Sequence, residues 1–342
     1  MVFSMSNNLF KSVLSDYMNA FIKEKRQRGF LFQTGHRDLM RFDTYLYMNH
    51  ITQTYISKDL CDGFVQFLYR TNCAKSVHNI MCTVGQFSMY LCDLGVESYI
   101  PQSPRHQQTD FQSYIYSKNE LNAIFAAADN YREKINRHPS VMFIMPALLR
   151  TLYSTGIRIG EALSIQNKDV DFSRHIIVLN KTKNNHQRIA PINPSLETVL
   201  KQYMEYRNKI GCLKIAAPQE PFFVNTLGKS PIENVVYYAF RRILDLAGVK
   251  FYGKKLGPNL HSFRHTACVH AMEKMINDGM DMYCCIPILS TFMGHNQVSD
   301  TQDYIRVTKE IFPSILAADE SITNSISNVI AYALIEENNE HE

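Results

Sequence analysis

Apolar residues recur at three- and four-residue steps through the first hundred positions. Leu9, Phe10, Val13, Leu14, Tyr17, Met18, Phe21 and Ile22 fall on one face of a helix. Leu39, Phe42, Tyr45 and Leu46 mark a second helix, and Lys58 to Arg70 a third, with Ser57 as its N-cap. Val77 to Leu94 makes a fourth, which Gly95 is placed to close in a left-handed C-cap. The pattern predicts a helical N-terminal domain over residues 1–100, with its Met and aromatic positions in the core. Residues 101–116 hold two Pro, several Gln and Ser and no periodicity, which predicts an extended linker. Ser117-Lys-Asn-Glu120 then has the form of a capping box, so the domain boundary falls near residue 110.

The second half is mainly helical with one interruption. Val141 to Thr155 predicts an apolar helix stopped by Gly156. His175–Asn180 and Gln187–Ile192 predict two strands of a hairpin around a Lys- and Asn-rich turn. Asn193-Pro194 and Ser230-Pro231 each read as N-cap and first helical residue, the second helix ending at Gly248. Further helices are expected over His261–Met275 and Pro287–Met293. The fold class is therefore mainly α with a small β-sheet, in two domains. The second domain spans 117–312 and a tail spans 313–342.

Charge sharpens this picture. Residues 1–308 carry 35 Lys and Arg against 25 Asp and Glu, whereas residues 309–342 carry one Lys against seven acidic residues. A basic body suits a polyanion, because each phosphate contacted releases counterions. Eight Cys without a paired C-x-x-C pattern point to reduced thiols in the cytoplasm rather than a disulfide framework. No apolar run approaches the length of a membrane span, and Asn7 and Asn8 interrupt the stretch a secretory leader would need, so no membrane partner is expected. His78 and Cys82 stand four residues apart on one helix, a metal-ligand spacing that no second pair completes. No metal and no cofactor is expected.

Four short segments of the second half bear chemistry when taken together: Thr155-Gly-Ile-Arg158-Ile-Gly-Glu161, Lys181-Thr-Lys183, His261-Ser-Phe-Arg264-His265, and Met293-Gly-His295 with Tyr304 nine residues beyond. Each is common by itself. Their order resembles the tyrosine recombinase/integrase family, whose catalytic domain has an Arg in T-G-x-R-x-x-E, a hairpin Lys, an H-x-x-R pair, an L-G-H segment and a Tyr nine residues past that His. The resemblance spans residues 117–310 at motif level and extends more loosely to the N-terminal helices, which look like the family's core-binding domain. Phe263 and Met293 stand where the family usually has Leu, both apolar replacements at packing positions.

The chemistry explains why these residue types should cluster. In-line attack on a phosphodiester adds charge to its non-bridging oxygens, and two guanidiniums can hold them in bidentate fashion at any working pH. Arg158 and Arg264 fit that clamp. His261 lies one turn before Arg264, and His295 would donate to the developing charge. The resemblance implies that Tyr304 is the nucleophile, forming a 3′-phosphotyrosine, and that a hairpin Lys protonates the leaving 5′ oxygen. Resemblance to the family's hairpin, in the spacing to Pro191, favours Lys183 for that role, with Lys181 as the alternate. Glu161 is expected to buttress the arginine helix, and His265 to be structural.

The resemblance further implies a C-shaped clamp on double-stranded DNA and a homo-tetramer on paired sites, with room for accessory recombination factors. It places the protein in the cytoplasm at the nucleoid, serving a mobile element. The basic run Lys23, Lys25, Arg26 and Arg28 would contact DNA backbone. Ile315, Leu316, Ile322, Ile326, Val329, Ile330 and Leu334 in the tail could form an amphipathic helix that docks on a neighbouring subunit. Two alternatives share these motifs: a type IB topoisomerase-like enzyme that relaxes supercoils, and a catalytically inactive DNA-binding regulator.

Overall fold

A computed structural model describes residues 10–104, 113–131, 140–180, 187–211, 214–253 and 257–294. The tail helix expected within 313–342 lies outside the described residues. The chain divides into two compact units, Met1–Asp110 and Phe111–Glu342.

Among the described residues, the first unit holds four helices: α1 (Ser15–Gln27), α2 (Gln33–Met48), α3 (Lys58–Tyr69) and α4 (Ala74–Asp93). Their shared core is built from Leu14, Met18, Phe21 and Ile22, from Leu39, Phe42 and Leu46, from Leu60 and Phe64, and from the α4 stripe Val77, Ile80, Val84, Phe87 and Leu91. The Ser57 side chain caps α3 by accepting from the Leu60 N–H, and Gly95 follows α4 at φ +82°. α1 begins later than its apolar periodicity suggests. The Asp43 carboxylate accepts the backbone N–H groups of Lys11 (2.9 Å) and Ser12 (2.8 Å), holding that entry in a turn. Val13, expected on the buried face, is in consequence 39% exposed. His78 Nδ1 donates to the Pro104 carbonyl at 2.8 Å, and Cys82 Sγ lies 3.1 Å from Ser103 Oγ and 3.6 Å from His78 Nε2. Both tie the chain after α4 back onto that helix.

The second unit opens with α5 (Lys118–Asn130). Its capping box is complete: Ser117 Oγ accepts from the Glu120 N–H, and Glu120 Oε2 accepts from the Ser117 N–H at 2.8 Å. The end of the expected linker belongs to this unit. Tyr116 is fully buried, its N–H donating to Thr266 Oγ1 and its hydroxyl to the Asn259 carbonyl, both at 2.9 Å. After a 3-10 turn come α6 (Met145–Thr155), α7 (Ile159–Leu163) and a three-stranded antiparallel sheet of β1 (Val170–Asp171), β2 (Ile176–Leu179) and β3 (Arg188–Pro191) in the order β1-β2-β3. β2 and β3 form the expected hairpin, with Ile176 opposite Pro191 and Leu179 opposite Arg188. β1 escapes prediction because two residues cannot display a period.

Four further helices follow among the described residues of this unit: α8 (Pro194–Asn208), α9 (Glu233–Leu246), α10 (Ser262–Asn277) and α11 (Met282–Met293). Asn193 caps α8 as expected. Ser230-Pro231 does not open α9, whose N-cap is Ile232, because the Ser230 hydroxyl is donated to the Leu163 carbonyl instead. α11 starts five residues before the expected Pro287. The Asp281 carboxylate accepts from the N–H groups of Tyr283 (2.8 Å) and Cys284 (3.1 Å), a strong N-cap that carries the helix through the proline. Phe263 anchors α10 in the main core, 4.9 Å from the Tyr116 ring and 5.6 Å from that of Phe240.

Gly156 closes α6 at φ +61°, and a Cβ there would stand 2.8 Å from Met293 Sδ at the end of α11. Gly156→Ala should therefore cost stability twice, in left-handed strain and in overpacking, together roughly 2–4 kcal/mol. The check is a lowered urea midpoint; an unchanged midpoint would mean that α6 and α11 are not interlocked at this glycine.

Candidate active site

The site grows out of the way α6 ends. Thr155 is buried, its hydroxyl donating back to the Thr151 carbonyl at 2.6 Å, and Gly156 reverses the chain. Ile157 anchors the turn in the core, which leaves Arg158 extended (φ −74°, ψ 150°) at the start of α7 with a quarter of its side chain exposed. Glu161, one helical turn on, is 4% exposed. Its Oε2 accepts the Arg158 backbone N–H at 2.9 Å and its Oε1 accepts Arg158 Nη1 at 3.1 Å. Glu161 thus orients Arg158 from behind, the supporting role expected of it.

A second guanidinium shares this carboxylate. Arg188, the first residue of β3, donates from Nη2 to Glu161 Oε2 at 2.7 Å and from Nη1 to the Phe292 carbonyl at 2.8 Å. Burial alone would raise the Glu161 pKa. The Arg158 N–H and the charges of Arg188 and Arg158 outweigh that cost and hold it below its ordinary value of 4.5. Because the folded protein binds this proton less tightly than the unfolded chain does, the stabilisation is full at neutral pH. It is lost as pH falls from about the ordinary value through the lower folded one.

Arg264 enters from the first turn of α10 and is only 2% exposed. Its Nη1 donates to the Gly156 carbonyl at 2.7 Å and its Nη2 to the Met293 carbonyl at 2.6 Å, so it fastens the Arg158 turn to the end of α11. His261, immediately before α10, is exposed and meets the His265 ring edge-to-face at 4.7 Å. The described cluster holds three guanidiniums against one carboxylate, a net cationic arrangement that favours an anion.

The structure thus gathers Arg158, Glu161 and Arg264 around one turn, and places His261 at the N-cap of the Arg264 helix. Lys181, Lys183, His295 and Tyr304 lie outside the described residues. Of the basic run in the first unit, Lys25 bonds Gln86 Oε1 at 3.1 Å and lies 5.1 Å above the Phe21 ring, and Arg28 pairs with Glu24. Lys23 and Arg26 are exposed. Sequence spacing does not single out Arg188. Its partners stand 27 and 104 positions away, and no local spacing announces them. Among the described residues, no three His, Cys, Asp or Glu side chains form a group able to hold a metal, and no helix is long and apolar enough to cross a membrane.

Known proteins are similar to this chain in sequence and in fold. The model of the phage integrase family matches residues 115–310. A putative integrase/recombinase of Sinorhizobium fredii, y4rB, is 25% identical over 304 residues, covering 88% of this chain and 95% of its own. The crystal structure of the XerH site-specific recombinase bound to its palindromic difH substrate is similar in fold, with a TM-score of 0.62 and 16% identity over 88% of this chain and 83% of that one. The Tn1549 transposon integrase, in complex with transposon right end DNA, gives a TM-score of 0.61 and 15% identity over 87% of this chain and 99% of that one. With more than half of its length matched to the family model and the arginine turn, hairpin and α10 in place, the chain belongs to the phage integrase family of site-specific DNA recombinases.

Proposed function

We propose that this recombinase cleaves and rejoins DNA through a 3′-phosphotyrosine on Tyr304, and that it serves a mobile DNA element. The observation that carries the chemical reading is the cationic turn at Arg158. Its backbone and one arm are fixed by a buried carboxylate, and the second arginine of the motif, Arg264, is fastened to the same turn. In the proposed step the Tyr304 phenolic oxygen attacks phosphorus and forms the new P–O bond. The bond to the 5′ oxygen breaks, and that oxygen leaves as a hydroxyl after taking a proton from Lys183. Arg158 and Arg264 neutralise the charge gathered on the non-bridging oxygens, with His261 and His295 as further donors. A phenol with an ordinary pKa near 10 must lose its proton on attack, and a neighbouring imidazole can accept it. Attack by the 5′ hydroxyl of another strand reverses each bond change and releases the tyrosine. The energy of the phosphodiester is conserved throughout, so no nucleotide cofactor is needed.

Mobile-element duty rests on kinship of fold with the Tn1549 integrase, whose solved complex contains a transposon end. Exchange between two sites would bring four copies together on paired duplexes, with the 313–342 tail docking between neighbours. Lys23 and Arg26, exposed on α1, would meet DNA backbone rather than read bases.

The general acid has a chemical test. A 5′-phosphorothiolate substrate carries a leaving group that departs as an anion and needs no proton. Lys183→Ala should cleave ordinary DNA slowly and recover most of the wild-type rate on the phosphorothiolate. Recovery by Lys181→Ala instead would move the role to that neighbour, and recovery by neither would remove Lys from the acid step.

A further inference from the structure

The last turn of α11 ends in two consecutive carbonyls that are met by two different arginines. Arg264 of α10 takes the Met293 carbonyl, and Arg188 of β3 takes the Phe292 carbonyl. Such terminal carbonyls have no partner within their own helix and carry the negative end of its dipole. Each arginine places its other arm on the segment around Arg158, Arg264 on the Gly156 carbonyl and Arg188 on Glu161. The α11 terminus is thus pinned to the Arg158 turn by two parallel guanidinium bridges.

The Arg188 bridge has a shaped seat. Its side chain is 12% exposed, and it passes so close to Gly294 that a Cβ there would stand 2.7 Å from Cδ and 2.9 Å from Nε. Gly294 adopts φ +65°, so glycine meets both the backbone and the steric requirement. Nη1 and Nη2 of Arg188 are both committed to protein acceptors. The residue holds two at once: the carboxylate that aims Arg158, and the helix end from which the chain runs directly into His295 and on to Tyr304.

We infer that Arg188 is a positioning residue for strand cleavage, setting the register between Arg158 and the segment that carries His295 and Tyr304. The inference rests on the reading of those residues as catalytic. It requires both arms of the fork, so a single ammonium at this position should not replace it.

The experiment uses the full-length protein and single-turnover cleavage of a nicked suicide duplex, which separates rate constant from amplitude. Arg188→Lys and Arg188→Ala should lower the rate constant roughly 10- to 100-fold, the scale of a small misplacement of reacting groups, with DNA affinity within about threefold of wild type. Millimolar methylguanidinium should restore part of the rate to Arg188→Ala by refilling the vacated seat, and leave the wild type unchanged. A purely structural role predicts something different: a lower melting temperature and a reduced amplitude, with the wild-type rate constant in the fraction that remains folded. That result, or a wild-type rate constant in Arg188→Lys, would overturn the inference. Should Arg188→Ala fail to fold, Arg188→Lys carries the test alone. If the wild type itself forms no covalent complex, the catalytic reading has failed and not merely this extension of it.

Discussion

Replacing Arg158 by alanine is expected to slow strand cleavage by about 10²- to 10³-fold while DNA affinity falls only a few-fold. The asymmetry follows from where the residue works. Only one arm of Arg158 is engaged by Glu161, and a quarter of the side chain is open to an approaching phosphate. Its charge counts most when the non-bridging oxygens gain charge, which happens in the transition state and not in the bound duplex. Binding of a duplex draws on the sum of the phosphates a basic protein neutralises, so the loss of one charge costs it little. Arg264→Ala should lose cleavage on the same scale but also destabilise the fold. The Gly156 and Met293 carbonyls would each lose a buried donor, at a cost of about 1–3 kcal/mol apiece. Filter binding and single-turnover cleavage on the same duplex separate the two effects. An affinity loss large enough to account for all the lost cleavage would contradict the clamp. In the proposed mechanism guanidiniums supply the neutralising charge, so cleavage should also proceed at full rate in EDTA, and a divalent requirement in the chemical step would refute that mechanism.

What could be read from sequence divides by range. Gly156, the Ser57 cap, the Ser117–Glu120 box and the Asn193 cap each settle their geometry within three or four residues, and the structure has them as expected. Ser230-Pro231 carries the same local signature and fails, because its hydroxyl is claimed by a carbonyl 67 positions away. Val13 fails for a similar reason: the Asp43 carboxylate, about thirty residues on, holds the entry to α1 out of helical geometry. In the site, Arg158 and Arg264 stood out by motif, but that Arg264 would brace α11 against the Gly156 turn could not be seen from spacing. Arg188 lies at the far end of this scale. It is an ordinary strand residue by sequence, and it matters only once β3, α7 and α11 meet.

Tyr304→Phe is expected to abolish covalent capture of DNA altogether, the largest effect of any single substitution. The change removes one hydroxyl and leaves the ring, so folding and DNA binding should persist while the oxygen that forms the new bond to phosphorus is gone. Its position nine residues beyond His295, in a segment matched by the family model, motivates the assignment. The most direct measurement is mass spectrometry of the wild-type complex trapped on a nicked suicide duplex, digested with protease and nuclease. A nucleotide adduct on Tyr304, absent from Tyr304→Phe, is the result this account predicts. An adduct on another residue, such as Tyr283 of α11, or a covalent band that persists in Tyr304→Phe, would contradict it.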